Sequence, residues 1–184
     1  MSDRYKVHES WMPHFITTTV VGWADALSRE AYKDIIIDSL KYCQENKGLI
    51  VHAWVIMSNH LHLIVSATDG KQLPDIVRDF KKFTSRSLIN AIDQNPQESR
   101  KEWLMNMFRF AGGNNNANEG HQFWQQDYHP IELSNEYLTR QRLNYLHENP
   151  VRAGIVWEPQ HYKYSSADDY YNNKPGLLKL EMLL

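Results

Sequence analysis

Apolar positions recur along the chain with two periods, and the switches between them mark the elements. Phe15-Ile16-Thr17-Thr18-Thr19-Val20-Val21 is rich in β-branched residues and stops at Gly22, which predicts a first strand. Ser28 stands where an N-cap belongs, and Tyr32, Ile35, Ile36, Leu40 and Cys43 follow at helical spacing as far as Gly48. Leu49 to Met57 and His60 to Ala67 read as a second and third strand, a hairpin closed by a short Ser58-Asn59 turn. Leu73, Ile76, Val77, Phe80, Phe83, Leu88 and Ile92 predict a second helix. Phe123 to Leu133 reads as a fourth strand, irregular around Pro130. Asn135 then caps a last helix through Tyr137, Leu138, Leu143, Tyr145 and Leu146, which runs into Asn149-Pro150. In between, Trp103 to Phe110 is apolar enough for a short docked helix, and the polar run 111–120 reads as a flexible loop. The order of elements is βαββαβ with an added C-terminal helix. That is an α+β plan: one antiparallel sheet with helices on one face, in a single domain spanning 1–184.

Composition adds limits. A chain of 184 residues, 42% hydrophobic and 23% charged, suits one soluble core. Its net charge of -2 gives no overall attraction to nucleic acid, so such a role must rest on a local patch. Cys43 is the only cysteine, which excludes an internal disulfide and a cysteine zinc site and suits a reducing compartment. The start, Met1-Ser2-Asp3-Arg4-Tyr5-Lys6, lacks the apolar core of a signal peptide, and no apolar run is long enough to span a bilayer. The expected location is the cytoplasm, with no membrane partner.

Three groups of residues could carry chemistry. His60 and His62 lie two apart on a predicted strand, so both imidazoles leave one face while Leu61 and Leu63 point to the other. Two neutral imidazoles side by side suit one divalent ion. A pair of polar residues on a solvated face is the plainer alternative. His52, on the preceding strand, falls outside this spacing and reads as an ordinary polar residue. Tyr145 and Asn149 are four apart and share a helix face. Tyr145 alone is a core-edge aromatic, and Asn149 before Pro150 is either a helix end or a hard amide-oxygen ligand. Arg78, Lys82 and Arg86, with Lys81 beside them, form a basic stripe that is either a solvated face or a track for phosphates.

Together these parts resemble a known family. His60-Leu61-His62 matches the His-hydrophobic-His (HUH) motif of single-tyrosine endonucleases, and the block Tyr145 to Val156 resembles the tyrosine block of their small transposase branch. Phe123 to His129 and Tyr162 to Tyr170 resemble that branch's Trp-Gln and Ser-Ser segments. The nearest group is the REP-associated tyrosine transposases and those of the smallest insertion sequences, over about Phe15 to Tyr171. The resemblance implies a ferredoxin-like fold carrying a C-terminal tyrosine-bearing helix. It implies Tyr145 as nucleophile toward single-stranded or hairpin DNA, giving a 5′-phosphotyrosine link. His60 and His62 would hold Mg²⁺ or Mn²⁺ with Asn149 as third ligand, while Arg78, Lys81, Lys82 and Arg86 would bind DNA. It leaves two assemblies open, a monomer and a homodimer that exchanges tyrosine helices. A non-catalytic DNA-binding protein on the same fold and a metal-dependent hydrolase using water are the alternative functions.

Overall fold

In a computed structural model of the chain, residues 7, 9–113, 120–126 and 128–184 are described. Strands β1 (His14–Thr19), β2 (Leu49–Ile56), β3 (His60–Ala67) and β4 (Ile131–Glu132) form one sheet in the order β2-β3-β1-β4. Every neighbouring pair is antiparallel. Helices α1 (Glu30–Asn46), α2 (Leu73–Gln94), α3 (Lys101–Gly113), α4 (Glu136–Arg152) and α5 (Ala167–Asn172) complete it. The strand order is that of a ferredoxin-like βαββαβ unit, and the added C-terminal helix is α4.

Alternation along β3 decides which helix covers which face. Leu61, Leu63 and Val65 join Ile36 and Leu40 of α1 and Ile76, Val77 and Phe80 of α2 in the main core. The opposite face presents Phe15, Ala53, Val55 and Ile64, and these pack on Leu143 and Leu146 of α4. His60 and His62 belong to this second face, so the tyrosine-bearing helix lies over them. Both faces of the sheet are therefore covered, the two crossover helices on one side and α4 on the other.

Four local expectations change. Helix α1 starts at Glu30 with Arg29 at its cap, because the Ser28 hydroxyl accepts instead from Arg100 Nη2 at 2.9 Å. Regular pairing in the fourth strand shrinks to Ile131–Glu132. Trp124 makes only a single bridge to Val20, since its indole is buried and donates to Thr84 Oγ1 at 2.9 Å. Pro130, with no N–H to donate, further blocks a long ladder. Helix α3 takes in residues 111–113 of the expected loop; residues 114–119 lie outside the described part. Helix α4 passes through Pro150 to Arg152, and Ala153 N–H closes it on the Asn149 carbonyl at 3.0 Å. The Asn135 cap stands as expected, accepting from Leu138 N–H at 2.9 Å.

The chain after α4 is stitched to β2 by hydroxyls. Tyr162 donates to the Ile56 carbonyl at 2.8 Å and Tyr170 to that of His52 at 2.9 Å. The fully buried Ser166 Oγ accepts the Trp54 N–H at 2.9 Å and lies 2.9 Å from His147 Nε2 of α4. One hydroxyl thus ties β2, the helix α4 and the stretch before α5 together. Ser166→Ala strands a buried N–H and a buried ring nitrogen, which is expected to cost about 1–3 kcal/mol. Urea denaturation measures it, and an unchanged midpoint would show that the clip contributes nothing.

Candidate functional site

Antiparallel register builds the site. Thr17 of β1 stands opposite His62, and Thr19 opposite His60. The Thr17 hydroxyl is 2.8 Å from His62 Nδ1, and Asn59 Oδ1 is 2.7 Å from His60 Nδ1. An amide oxygen only accepts, so His60 Nδ1 carries the proton and Nε2 the lone pair. Thr17 can hold His62 in the same tautomer. The two rings lie 4.7 Å apart.

Phe15 stacks on His62 at 5.1 Å, and Tyr145 of α4 meets the same imidazole edge-on at 5.3 Å. His62 is 4% exposed, and among the described residues its Nε2 has no hydrogen-bond partner. Burial, then the neighbouring His60 and Arg142, push its pKa down to about 3, so it is neutral at any physiological pH. His60 is lowered too, by burial, while a hydrogen bond with the Asn149 side chain pulls the other way. Asn149 therefore reaches the imidazole pair from one turn beyond Tyr145.

A buried nitrogen lone pair without a donor is costly unless something else takes it. Two neutral imidazoles and an amide suit a divalent ion. No cluster of three or more His, Cys, Asp or Glu that could hold a metal exists among the described residues, and the polar group that reaches the imidazole pair, Asn149, is an amide.

The structure thus brings His60, His62, Tyr145 and Asn149 together within one chain. It does not bring the basic stripe to them, because α2 packs on the opposite face of the sheet. Arg78 is engaged with Asp75 at 2.6 Å and Asp79 at 3.1 Å. Lys81 donates to the carbonyls of Gln125 and Gln126. Lys82 and Arg86 are exposed.

Two cations missed in the sequence stand at the site instead. The Arg142 guanidinium lies 5.4 Å from the centre of the Phe15 ring, with its buried Nε unpartnered among the described residues. Arg152 lies 5.3 Å over the Tyr145 ring. Residues 142, 145, 149 and 152 recur at steps of three and four, the signature of one helix face. Thr17 was also missed, and only the strand register reveals it.

The profile of the IS200-like transposase family matches residues 12–115, more than half of the chain. The chain belongs to the IS200-like transposase family. Its family places it among DNA transposases. A REP-associated tyrosine transposase solved with a REP hairpin shares the fold of this transposase, with a TM-score of 0.63 at 16% identity, over 100% of this chain and 94% of that one. A putative transposase from Deinococcus radiodurans aligns at 18% identity over 79% of this chain and 95% of that one, with a TM-score of 0.44. No curated protein matches the sequence. No helix among the described residues is long and apolar enough to cross a membrane.

Buried histidines set an acid limit on this fold. His62 titrates at about 3 and His147 at about 4, both below 6.5 because of burial. The unfolded chain takes up these protons below about pH 6.5, the folded chain only at those lower values. Their contribution is complete above pH 6.5 and is lost as the pH falls through the window down to about 3. Urea midpoints should drop across that window, and NMR should find both imidazoles still neutral at about pH 5. Flat midpoints with protonated rings would contradict this.

Proposed function

We propose that this transposase cleaves and rejoins single-stranded DNA through a covalent link to Tyr145, at a site holding Mg²⁺ or Mn²⁺ on His60, His62 and Asn149. The observation that carries the reading is the buried His62 Nε2, without a hydrogen-bond partner among the described residues, beside both His60 and Tyr145. When bound, the ion supplies positive charge to a phosphate oxygen.

The chain's own residues do the rest. Tyr145 Oη attacks phosphorus, the P–O3′ bond breaks, and the phenol proton leaves as the 3′-oxygen gains one. One phosphodiester replaces another, so a later attack by a 3′-hydroxyl rejoins strands without an external energy source. Arg152 over the ring and Arg142 beside His62 flank Tyr145 with positive charge, where the anionic phosphodiester must dock. Thr17 and Asn59 hold the two imidazoles by Nδ1, so that the Nε2 atoms would be the ones to hold the ion. Lys82 and Arg86 on α2 would guide the DNA backbone farther out. A hairpin beside a single-stranded segment is the expected substrate, by analogy with the REP-hairpin complex of the structural relative. Tyr145 lies over the histidines of its own chain, which supports a site completed in one subunit without exchange of helices in a homodimer.

Incubation with labelled hairpin DNA and Mn²⁺ should give a denaturant-resistant protein–DNA adduct that disappears in Tyr145→Phe. An adduct that persists in that variant would remove Tyr145 as nucleophile. Binding without any adduct in the unaltered protein would favour the non-catalytic alternative. Thr17→Val removes the support of one ligand and should weaken Mn²⁺ binding by about 10- to 100-fold, measured by calorimetry. Unchanged affinity would show that His62 needs no such support.

A further inference from the structure

The turn between β1 and α1 exposes one large aromatic beside the imidazoles. Trp23 is 60% exposed, yet its ring meets the His60 ring edge-on at 6.2 Å. Its backbone is left-handed, with φ 55, a conformation that only Asn173 shares among the described non-glycine residues. Such a conformation costs energy at a residue with a Cβ and persists only where the surroundings impose it.

The surroundings here do impose it. Val20 N–H donates to the Asn59 carbonyl at 2.9 Å, Val21 N–H to that of Phe123 at 2.9 Å, and Trp23 N–H to that of Val20 at 3.1 Å. Gly22, at φ 62, lies so close against α3 that a Cβ there would come within 2.9 Å of Met107 Sδ. The Trp23 carbonyl accepts from Asn59 Nδ2 at 3.3 Å, and Asn59 Oδ1 in turn holds His60. A rigid, strained turn thus holds an indole outward into solvent, indexed to the imidazole pair through a single asparagine.

The geometry points to Trp23 as a stacking platform for an unpaired nucleobase of the DNA strand whose phosphate lies at the histidine pair. This rests on the reading of that pair as the phosphate site. An indole face offers stacking to any base, and its neighbour His60 places that base within a nucleotide or so of the reacting phosphate. The buried Phe123 and Trp124 cannot serve in this way. Held by such stacking, the strand would present one phosphodiester to Tyr145 in a fixed register.

The test is an abasic scan. A fluorescent DNA hairpin with short single-stranded arms is bound by the full-length protein without divalent metal, so that no chemistry contributes to affinity. Trp23→Ala should weaken binding by about five- to a hundredfold, and Trp23→Phe should restore most of it. Both variants keep a Cβ, so the strain of the turn is unaltered. At one arm position an abasic substitution should weaken binding to the wild-type protein by the same factor and leave Trp23→Ala unaffected. If no position shows this convergence, the platform does not exist. Mn²⁺ affinity measured without DNA should be unchanged in Trp23→Ala; a loss there without convergence would make Trp23 a packing support for His60 instead. A wild-type protein that shows convergence but forms no adduct with Mn²⁺ would leave the platform standing and remove the chemistry.

Discussion

The pairing of β1 with β3 is the constraint on which everything else depends. It sets Thr17 against His62 and Thr19 against His60, and so decides where each imidazole turns. A slip of one residue would send both rings into the α1–α2 core and bring Leu61 and Leu63 under α4. The large apolar side chains on the other face of β3 make that slip costly, since Leu61 and Leu63 are 0% and 3% exposed where they are. The core thus protects the register, and the register protects the site.

Covering the histidine face with α4 has two consequences at once. It buries Leu143 and Leu146 on the sheet, and it removes water from His62. The same packing that stabilises the fold therefore keeps the imidazoles neutral, as metal ligation demands. It leaves His62 Nε2 without a hydrogen-bond partner among the described residues, a local cost that binding of an ion would relieve. Arg142 and Arg152 reach the site on the same helix, so the tyrosine, an amide donor and two cations arrive as one rigid group. The match to the transposase family ends at residue 115, before that helix, so the histidine half rests on family and geometry together and the tyrosine half on geometry.

Much of this was legible in the sequence because it depends on short-range periodicity. The hairpin, the two crossover helices, the Asn135 cap and the shared faces of His60 with His62 and of Tyr145 with Asn149 follow from spacings of two and four. What was hidden depends on contacts between distant segments. Thr17 becomes a support for His62 only once the register between strands is known. Buried Glu98, which binds Arg29 at 2.8 Å and Arg100 at 3.2 Å, pins the α2–α3 connection to the start of α1 and so displaces the expected Ser28 cap. The fourth strand failed because Trp124 is held by Thr84 of α2, which no local pattern announces. That the α2 stripe lies across the sheet from the imidazoles was hidden too, because periodicity shows a common face but not which side of the sheet that face occupies. Arg142 and Arg152 could have been found, since they continue the Tyr145 stripe.

On the proposed reading, the two imidazoles form a ready seat for a divalent ion. Pulsed EPR of Mn²⁺ bound to protein carrying ¹⁵N-labelled histidine tests it directly. The account requires hyperfine coupling from two imidazole nitrogens, reduced to one in His60→Ala. Tightly bound Mn²⁺ with no nitrogen coupling would contradict it.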